Sequence, residues 1–262
     1  MRALVNGVIT QKIEFDSFSG LTDAGWNLGD GIFESLLVLH DKPIALDRHL
    51  ERMVNGAREL ELPILDVAKV KLEITKLLSA GEMYERGRLR ISLLSSGDVV
   101  MTYRELLPYA ESATIKTYPF PKNERSILAG KKSISYGENA HALRWAKKAG
   151  CDDALFLTTQ GFVSETAVAN VMWQSGESFF TPALTTGCLP GITREMVIEK
   201  FGVKEVEARP SELIDADALY LLSSTRLIQR VARYDGKSYM ANAIGATLMV
   251  EFSRQIAENM NQ

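Results

Sequence analysis

Two lysines stand side by side in Leu128-Ala129-Gly130-Lys131-Lys132-Ser133-Ile134-Ser135-Tyr136-Gly137-Glu138-Asn139. A lysine amine that sheds its proton in a desolvated pocket is both a nucleophile and a base. The hydroxyls of Ser133 and Ser135 and the phenol of Tyr136 follow at once, and such groups orient a polar ligand. Each also has a plainer reading: lysines are mostly solvated surface residues, and tyrosines mostly pack in a core with the hydroxyl at its rim. Further on, Glu165 interrupts the uncharged run Val163-Ser164-Glu165-Thr166-Ala167-Val168-Ala169-Asn170. A carboxylate there needs a partner if it is buried and is an ordinary turn residue if it is exposed. Leu189-Pro190-Gly191-Ile192-Thr193-Arg194-Glu195 then places a glycine and a threonine at a predicted helix start. Free backbone N–H groups and the helix dipole favour a phosphate at such a place, although the same residues also serve as a plain cap.

The elements that must position these residues follow from pattern. Arg2 to Ile9 reads as a hairpin turned by Asn6-Gly7, a dipeptide that tolerates positive φ. Gly31 to Leu39 is a strand, His40-Asp41-Lys42-Pro43 a turn, and Ile44-Ala45-Leu46 resumes extended. Asp47 is the expected N-cap of a helix with apolar Leu50, Met53, Val54 and Ala57, and a weaker helical period recurs from Val67 to Leu78. Gly87 to Leu94 and Ala113 to Tyr118 alternate as half-buried strands do. Glu138 to Ala149 is predicted helical, Asp153 to Leu157 and Asn170 to Trp173 extended, and a last helix spans about Met240 to Glu258. Pro119, Pro121, Lys122 and Asn123 form the best linker candidate, so the expected domains are 1–118 and 124–262, joined by 119–123. Two α+β domains is the economical architecture.

Bulk composition narrows the function class. The 262 residues are 46% hydrophobic and 24% charged, with 30 Lys plus Arg against 33 Asp plus Glu. A formal charge of -3 makes no field that recruits nucleic acid or an anionic membrane, so a small-molecule partner is expected. The two cysteines and three histidines lack metal-ligand spacing, and no metal site is expected. The opening residues MRALVNGVITQKIEF lack the apolar core of a signal peptide, and no apolar run approaches the ~20 residues of a membrane span, so a cytoplasmic setting is expected.

Taken together, the motifs resemble the class IV aminotransferases, a family that includes branched-chain and D-amino acid aminotransferases and 4-amino-4-deoxychorismate lyases. The resemblance rests on Gly130-Lys131-Lys132-Ser133 through Tyr136, Asp152-Asp153-Ala154-Leu155-Phe156-Leu157, Gly161-Phe162-Val163-Ser164-Glu165 through Asn170, and Leu189 to Arg194. Upstream, Gly29-Asp30-Gly31-Ile32-Phe33-Glu34 and His49-Leu50-Glu51-Arg52-Met53 continue it, so that it covers nearly the whole chain. It implies a two-domain fold type IV architecture with a small N-terminal and a larger C-terminal domain, a homodimer, and pyridoxal 5'-phosphate (PLP) as cofactor. Lys132 is then similar to the lysine that forms the Schiff base and shuttles protons, and Glu165 to the carboxylate on the pyridine nitrogen. Arg52, the Gly191-Ile192-Thr193 backbone and hydroxyl, Ser224 and Thr225 resemble the phosphate cradle. Tyr136 would bond the phenolic oxygen, Leu189 would pack on the ring, and Phe33, Arg90 and Arg226 would face the substrate.

Three local signals bear on the branch. The Arg-x-His carboxylate trap of D-amino acid enzymes is replaced by Leu94-Ser95-Ser96-Gly97-Asp98-Val99-Val100, and the branched-chain enzymes are usually longer. The short chain, the 28–31 entry, the segment from Gly130 to Asn139 and Ser223-Ser224-Thr225-Arg226-Leu227 look most like the lyases, which make 4-aminobenzoate and pyruvate for folate synthesis. Against this, the glycine-flanked arginines that many lyases carry after residue 94 are missing. A transaminase of amino and oxo acids is the alternative, and a PLP-free binding dimer is the reading outside enzymology.

Overall fold

The computed structural model describes residues 1–10 and 24–259, so residues 11–15 of the opening segment lie outside the described residues. The chain divides into two compact units, Met1–Pro108 with Lys131–Tyr136, and Tyr109–Gly130 with Gly137–Gln262. Each has its own sheet.

In the first unit, Asn6 and Gly7 at φ 48° and 84° turn β1 (Arg2–Val5) into β2 (Val8–Thr10). A short α1 (Ala24–Asn27) precedes β3 (Gly31–Leu39), β4 (Lys42–Pro43), α2 (Leu46–Glu59), α3 (Val67–Ser79), β5 (Arg86–Leu94) and β6 (Val99–Glu105). The described strands form an antiparallel sheet in the order β2-β1-β6-β5-β3-β4. Strand alternation sends Leu89, Ile91 and Leu93 of β5 into a core with Leu50 and Met53 of α2 and Val70, Ile74 and Leu77 of α3. The other face of β5 carries Arg86, Arg88, Arg90 and Ser92, all partly exposed. Ile44-Ala45-Leu46 is not extended as expected. The Ile44 N–H closes back onto the Leu37 carbonyl at 2.9 Å, Ala45 takes a left-handed φ of 53°, and α2 begins at once with Leu46. Asp47 therefore lies inside the first turn, where it pairs with Lys71 at 2.6 Å instead of capping the helix.

The second unit contains β7 (Ser112–Thr117), α4 (Gly137–Lys148), β8 (Asp153–Leu157), β9 (Val163–Thr166), β10 (Asn170–Ser175), β11 (Ser178–Pro182), α5 (Ile192–Phe201) and β12 (Lys204–Val206). It continues through α6 (Pro210–Asp215), β13 (Ala218–Ser223), β14 (Leu227–Tyr234), β15 (Lys237–Ser238) and α7 (Ala243–Asn259). The sheet runs β12-β11-β10-β13-β14-β7-β8-β9, parallel where β7 meets β8 and β14 and where β11 meets β12. Leu155, Val171, Trp173, Leu219, Leu221 and Val231 form its main core.

The expected linker at 119–123 is not where the chain changes unit. β7 already belongs to the second sheet, and the next residues continue it along β8: Tyr118 N–H donates to the Leu155 carbonyl and Lys122 N–H to that of Leu157, both at 2.8 Å. The chain bends at Pro119 and Phe120 between these two bonds, so four residues pass along only two of β8, and the prolines mark that bend.

Candidate active site

The residues singled out by resemblance fall into two sets, one in each unit. In the first unit, Lys131–Tyr136 lies beside β3: Phe33 N–H donates to the Lys132 carbonyl at 2.8 Å, Ile134 N–H to that of Gly31 at 3.0 Å, and Ser133 bridges Ile32. Gly31 makes the close approach feasible, because a Cβ there would meet the Leu93 carbonyl at 2.4 Å and Ile134 Cδ1 at 3.0 Å. This ladder sets Lys132 Nζ 4.8 Å from the Phe33 ring centroid. The Arg90 guanidinium lies 3.7 Å from the same centroid, and Tyr136 meets the ring edge-on at 5.4 Å. Burial, and then Arg88 nearby, push Arg90 down to about 10, still fully cationic at neutral pH. Lys132, Tyr136, Phe33 and Arg90 are therefore gathered as expected. Lys131 diverges to pair with Glu59.

Arg52, on α2, grips the buried Glu34 of β3 side-on, Nε to Oε1 at 2.8 Å and Nη2 to Oε2 at 2.6 Å, and His49 Nδ1 meets Oε2 at 2.7 Å. Burial alone would raise Glu34, but Arg52 and His49 outweigh it and hold the carboxyl at about 2. Burial lowers His49, and its bond to Glu34 opposes that effect only in part. Glu34 thus fixes the direction in which Arg52 presents its guanidinium. The motifs containing Glu34 and His49 were recognised from sequence, but these two roles were not.

In the second unit, β9 carries Glu165, 8% exposed. Its Oε2 accepts the Leu189 N–H at 3.0 Å, and its Oε1 pairs with Lys122 Nζ. Leu189 thus meets Glu165 through its backbone, and its carbonyl accepts Asn170 Nδ2 at 2.9 Å. Gly191, the N-cap of α5, has no room for a side chain, since a Cβ would fall 2.0 Å from Asn170 Oδ1. No side chain caps α5, and its first turn includes buried Ile192 and Thr193. Ser224 and Thr225 sit in the turn between β13 and β14, with Thr225 Oγ1 3.0 Å from the Tyr109 hydroxyl. Arg226 departs from the substrate-facing expectation. Its side chain is engaged inside the unit, with Nη1 3.6 Å from Asp153 Oδ2 and 3.3 Å from Gln229 Oε1 and the guanidinium over the Tyr109 ring. The buried Asp153 needs a countercharge, and Arg226 supplies it.

The residues of each unit fit parts of PLP. In the first, an arginine suits a phosphate and a lysine beside an aromatic ring suits the aldehyde carbon; in the second, two turn hydroxyls and an uncapped helix start suit a phosphate and a buried glutamate a protonated ring nitrogen.

A lysine, a phosphate-type cradle and a buried carboxylate on a two-sheet α+β scaffold define the class of a PLP-dependent enzyme. Residues 31–234 match the family model for amino-transferase class IV, and the chain belongs to that family, whose cofactor is PLP. It is 27% identical to an aminodeoxychorismate lyase of Bacillus subtilis over 95% of this chain and 93% of that protein. It is 26% identical to a bifunctional aminodeoxychorismate lyase / D-amino acid transaminase of Mycobacterium tuberculosis, over 80% of this chain and 83% of that one. A Legionella pneumophila crystal structure, described as a putative 4-amino-4-deoxychorismate lyase, superposes with a TM-score of 0.84 at 25% identity, covering 93% of this chain and 96% of the other. The chain is therefore a PLP-dependent lyase or aminotransferase of class IV. Among the described residues, no helix is long and apolar enough to cross a membrane.

Proposed function

We propose that the protein is a 4-amino-4-deoxychorismate lyase acting in folate biosynthesis, a cytoplasmic homodimer that releases 4-aminobenzoate and pyruvate. The observation that carries this reading is the cluster of Lys132, Phe33, Arg90 and Tyr136 in the first unit. It combines a base, a flat apolar surface and a cation, which suit a ring substrate bearing a carboxylate. Likeness to two relatives with lyase activity in their names points the same way.

Bound PLP supplies the electron sink for the pair released at the substrate's amino-bearing carbon. Lys132 Nζ takes the proton from that ring carbon and returns one to the enolpyruvyl group as its C–O bond breaks, so the ring becomes aromatic and pyruvate leaves. Arg90 holds the ring carboxylate, and Phe33 supports the ring and keeps water away. With PLP bound, Glu165 would accept the hydrogen bond of the ring nitrogen and Tyr136 would donate to the phenolic oxygen. Arg52, aimed by Glu34 in the first unit, would bind phosphate, as would the first turn of α5, Ser224 and Thr225 in the second.

The bifunctional relative favours one second reading, a transaminase on the same residues. Purified holoenzyme with 4-amino-4-deoxychorismate and no oxo-acid acceptor separates the two. Catalytic 4-aminobenzoate and pyruvate support the lyase. Turnover only with amino-acid and oxo-acid pairs rejects it. Lys132→Ala is expected to abolish turnover and the visible absorption of the bound cofactor while the far-UV spectrum stays native; retention of both moves the role from Lys132.

A further inference from the structure

We propose that Lys122 is a positioning residue for the cofactor: its ammonium holds one oxygen of Glu165 and keeps the carboxylate aimed at the ring nitrogen. The inference rests on the reading of Glu165 given above. Three observations within the second unit carry it.

The first is delivery. Lys122 is tied to β8 by its backbone N–H and by a bridge to Thr158, directly after Pro121, whose ring restricts the approach. The side chain is thus launched from a fixed point.

The second is burial. The paired side chains of Lys122 and Glu165 are 16% and 11% exposed, so the pair lies mostly out of water, where a carboxylate without a countercharge is strongly disfavoured.

The third is stoichiometry. Glu165 receives Lys122 on Oε1 and the Leu189 N–H on Oε2. A carboxylate accepts at about four lone-pair positions, so one donor on each oxygen leaves room for a ring N–H. An arginine fork would span both oxygens and compete with the ring; a lysine, a point donor, engages only one. A purely structural ion pair would tie the 118–122 extension to β9 and do nothing else.

The two roles separate in a pH titration of cofactor retention. Wild type, Lys122→Met, Lys122→Gln, Lys122→Arg and Glu165→Gln are prepared as holoenzymes and acidified stepwise from alkaline pH. The visible spectrum and the free PLP after dialysis are read at each step, with far-UV spectra and melting curves of the apo forms alongside. Without the ammonium, Glu165 loses the donor on Oε1 and its hold on the ring nitrogen weakens. Lys122→Met and Lys122→Gln are therefore expected to release the cofactor earlier in the acidification than wild type, with the PLP dissociation constant about tenfold weaker. Lys122→Arg restores the charge but can span both oxygens and compete with the ring N–H, so it is expected to recover only part of the loss. A release profile identical to wild type in Lys122→Met and Lys122→Gln, with only a lower melting temperature, makes the pair structural and overturns the proposal while Glu165 keeps its role. A wild-type spectrum and release profile in Glu165→Gln removes the reading of Glu165 itself, and the proposal with it. Two neutral variants are included so that a folding failure of one leaves the other to decide.

Discussion

Glu34 in the first unit and Asp153 in the second are equally hidden, at 1% and 0% exposure, yet they titrate in opposite directions. Burial would raise both. Around Glu34 that effect is overturned by an arginine bound to both oxygens and by His49, and the carboxyl sits at about 2. Around Asp153 it prevails, raising the group to about 6, because Arg226 stands off at 3.6 Å and the bonds from Ala154, Ala167 and Thr166 offset it only in part. Depth therefore does not set the charge of a buried acid; the number and alignment of charged donors does. The difference has a functional side. Glu34 is a permanent anion suited to aiming Arg52, whereas Asp153 is a structural acid that draws Arg226 inward.

The strongest way to break the comparison is to delete the well-paired acid. Glu34→Ala leaves Arg52 and His49 without their carboxylate and is expected to lower stability by about 3–5 kcal/mol in urea unfolding and to weaken PLP retention. A loss below 1 kcal/mol would show that the bidentate pair is not holding the unit.

A sharper test uses the opposite slopes with pH. Glu34 ionises near 4.5 when unfolded and at about 2 when folded, so its contribution is present above 4.5 and fades as pH falls toward 2. That contribution amounts to about 3 kcal/mol. Asp153 ionises at 3.8 unfolded and about 6 folded, so the stability linked to its protonated form is complete below 3.8 and is lost as pH rises through 6. Unfolding free energies measured from pH 2 to 7 should lose the acid decline in Glu34→Gln and lose the fall between 3.8 and 6 in Asp153→Asn. Unchanged slopes in both variants would assign the pH dependence to other groups.

Arg226→Met should leave Asp153 without its nearest cation and move the Asp153-dependent fall to higher pH, with activity affected less than by Arg90→Met. Equal loss of substrate affinity in the two variants would return Arg226 to the substrate. The smallest effect is expected at the exposed Asp47–Lys71 pair, where Asp47→Ala should change stability by less than about 1 kcal/mol.

Local features were legible where chemistry depends on neighbours in sequence. The Asn6-Gly7 hairpin, the alternation of β5, the strand at Gly31 to Leu39 and a helix opening at Thr193, one residue after the observed Ile192, are all short-range patterns. Lys122 was read as a linker residue because two prolines precede it, and nothing in a local window shows that its backbone is bonded to β8. Arg226 was read as facing the substrate because its motif, Ser223 to Leu227, resembles that of the lyases. Its engagement with Asp153, 73 positions earlier in the chain, depends on how β14 returns past β7 to β8. Asp47 was read as a cap because its type suits one, but the cap is the left-handed Ala45, so the helix starts two residues early.

The order and spacing of the motifs determined, before any coordinates, which lysine, which glutamate and which arginine to examine, because reactive groups must be of a given type and their spacing is inherited with the motif. What tertiary structure alone decided is the partner of each group: Glu34 with Arg52, Lys122 with Glu165, Asp153 with Arg226. Electrostatic energy depends on separation through space and on burial. Both are properties of strands brought side by side, and neither is written in the interval between residues along the chain.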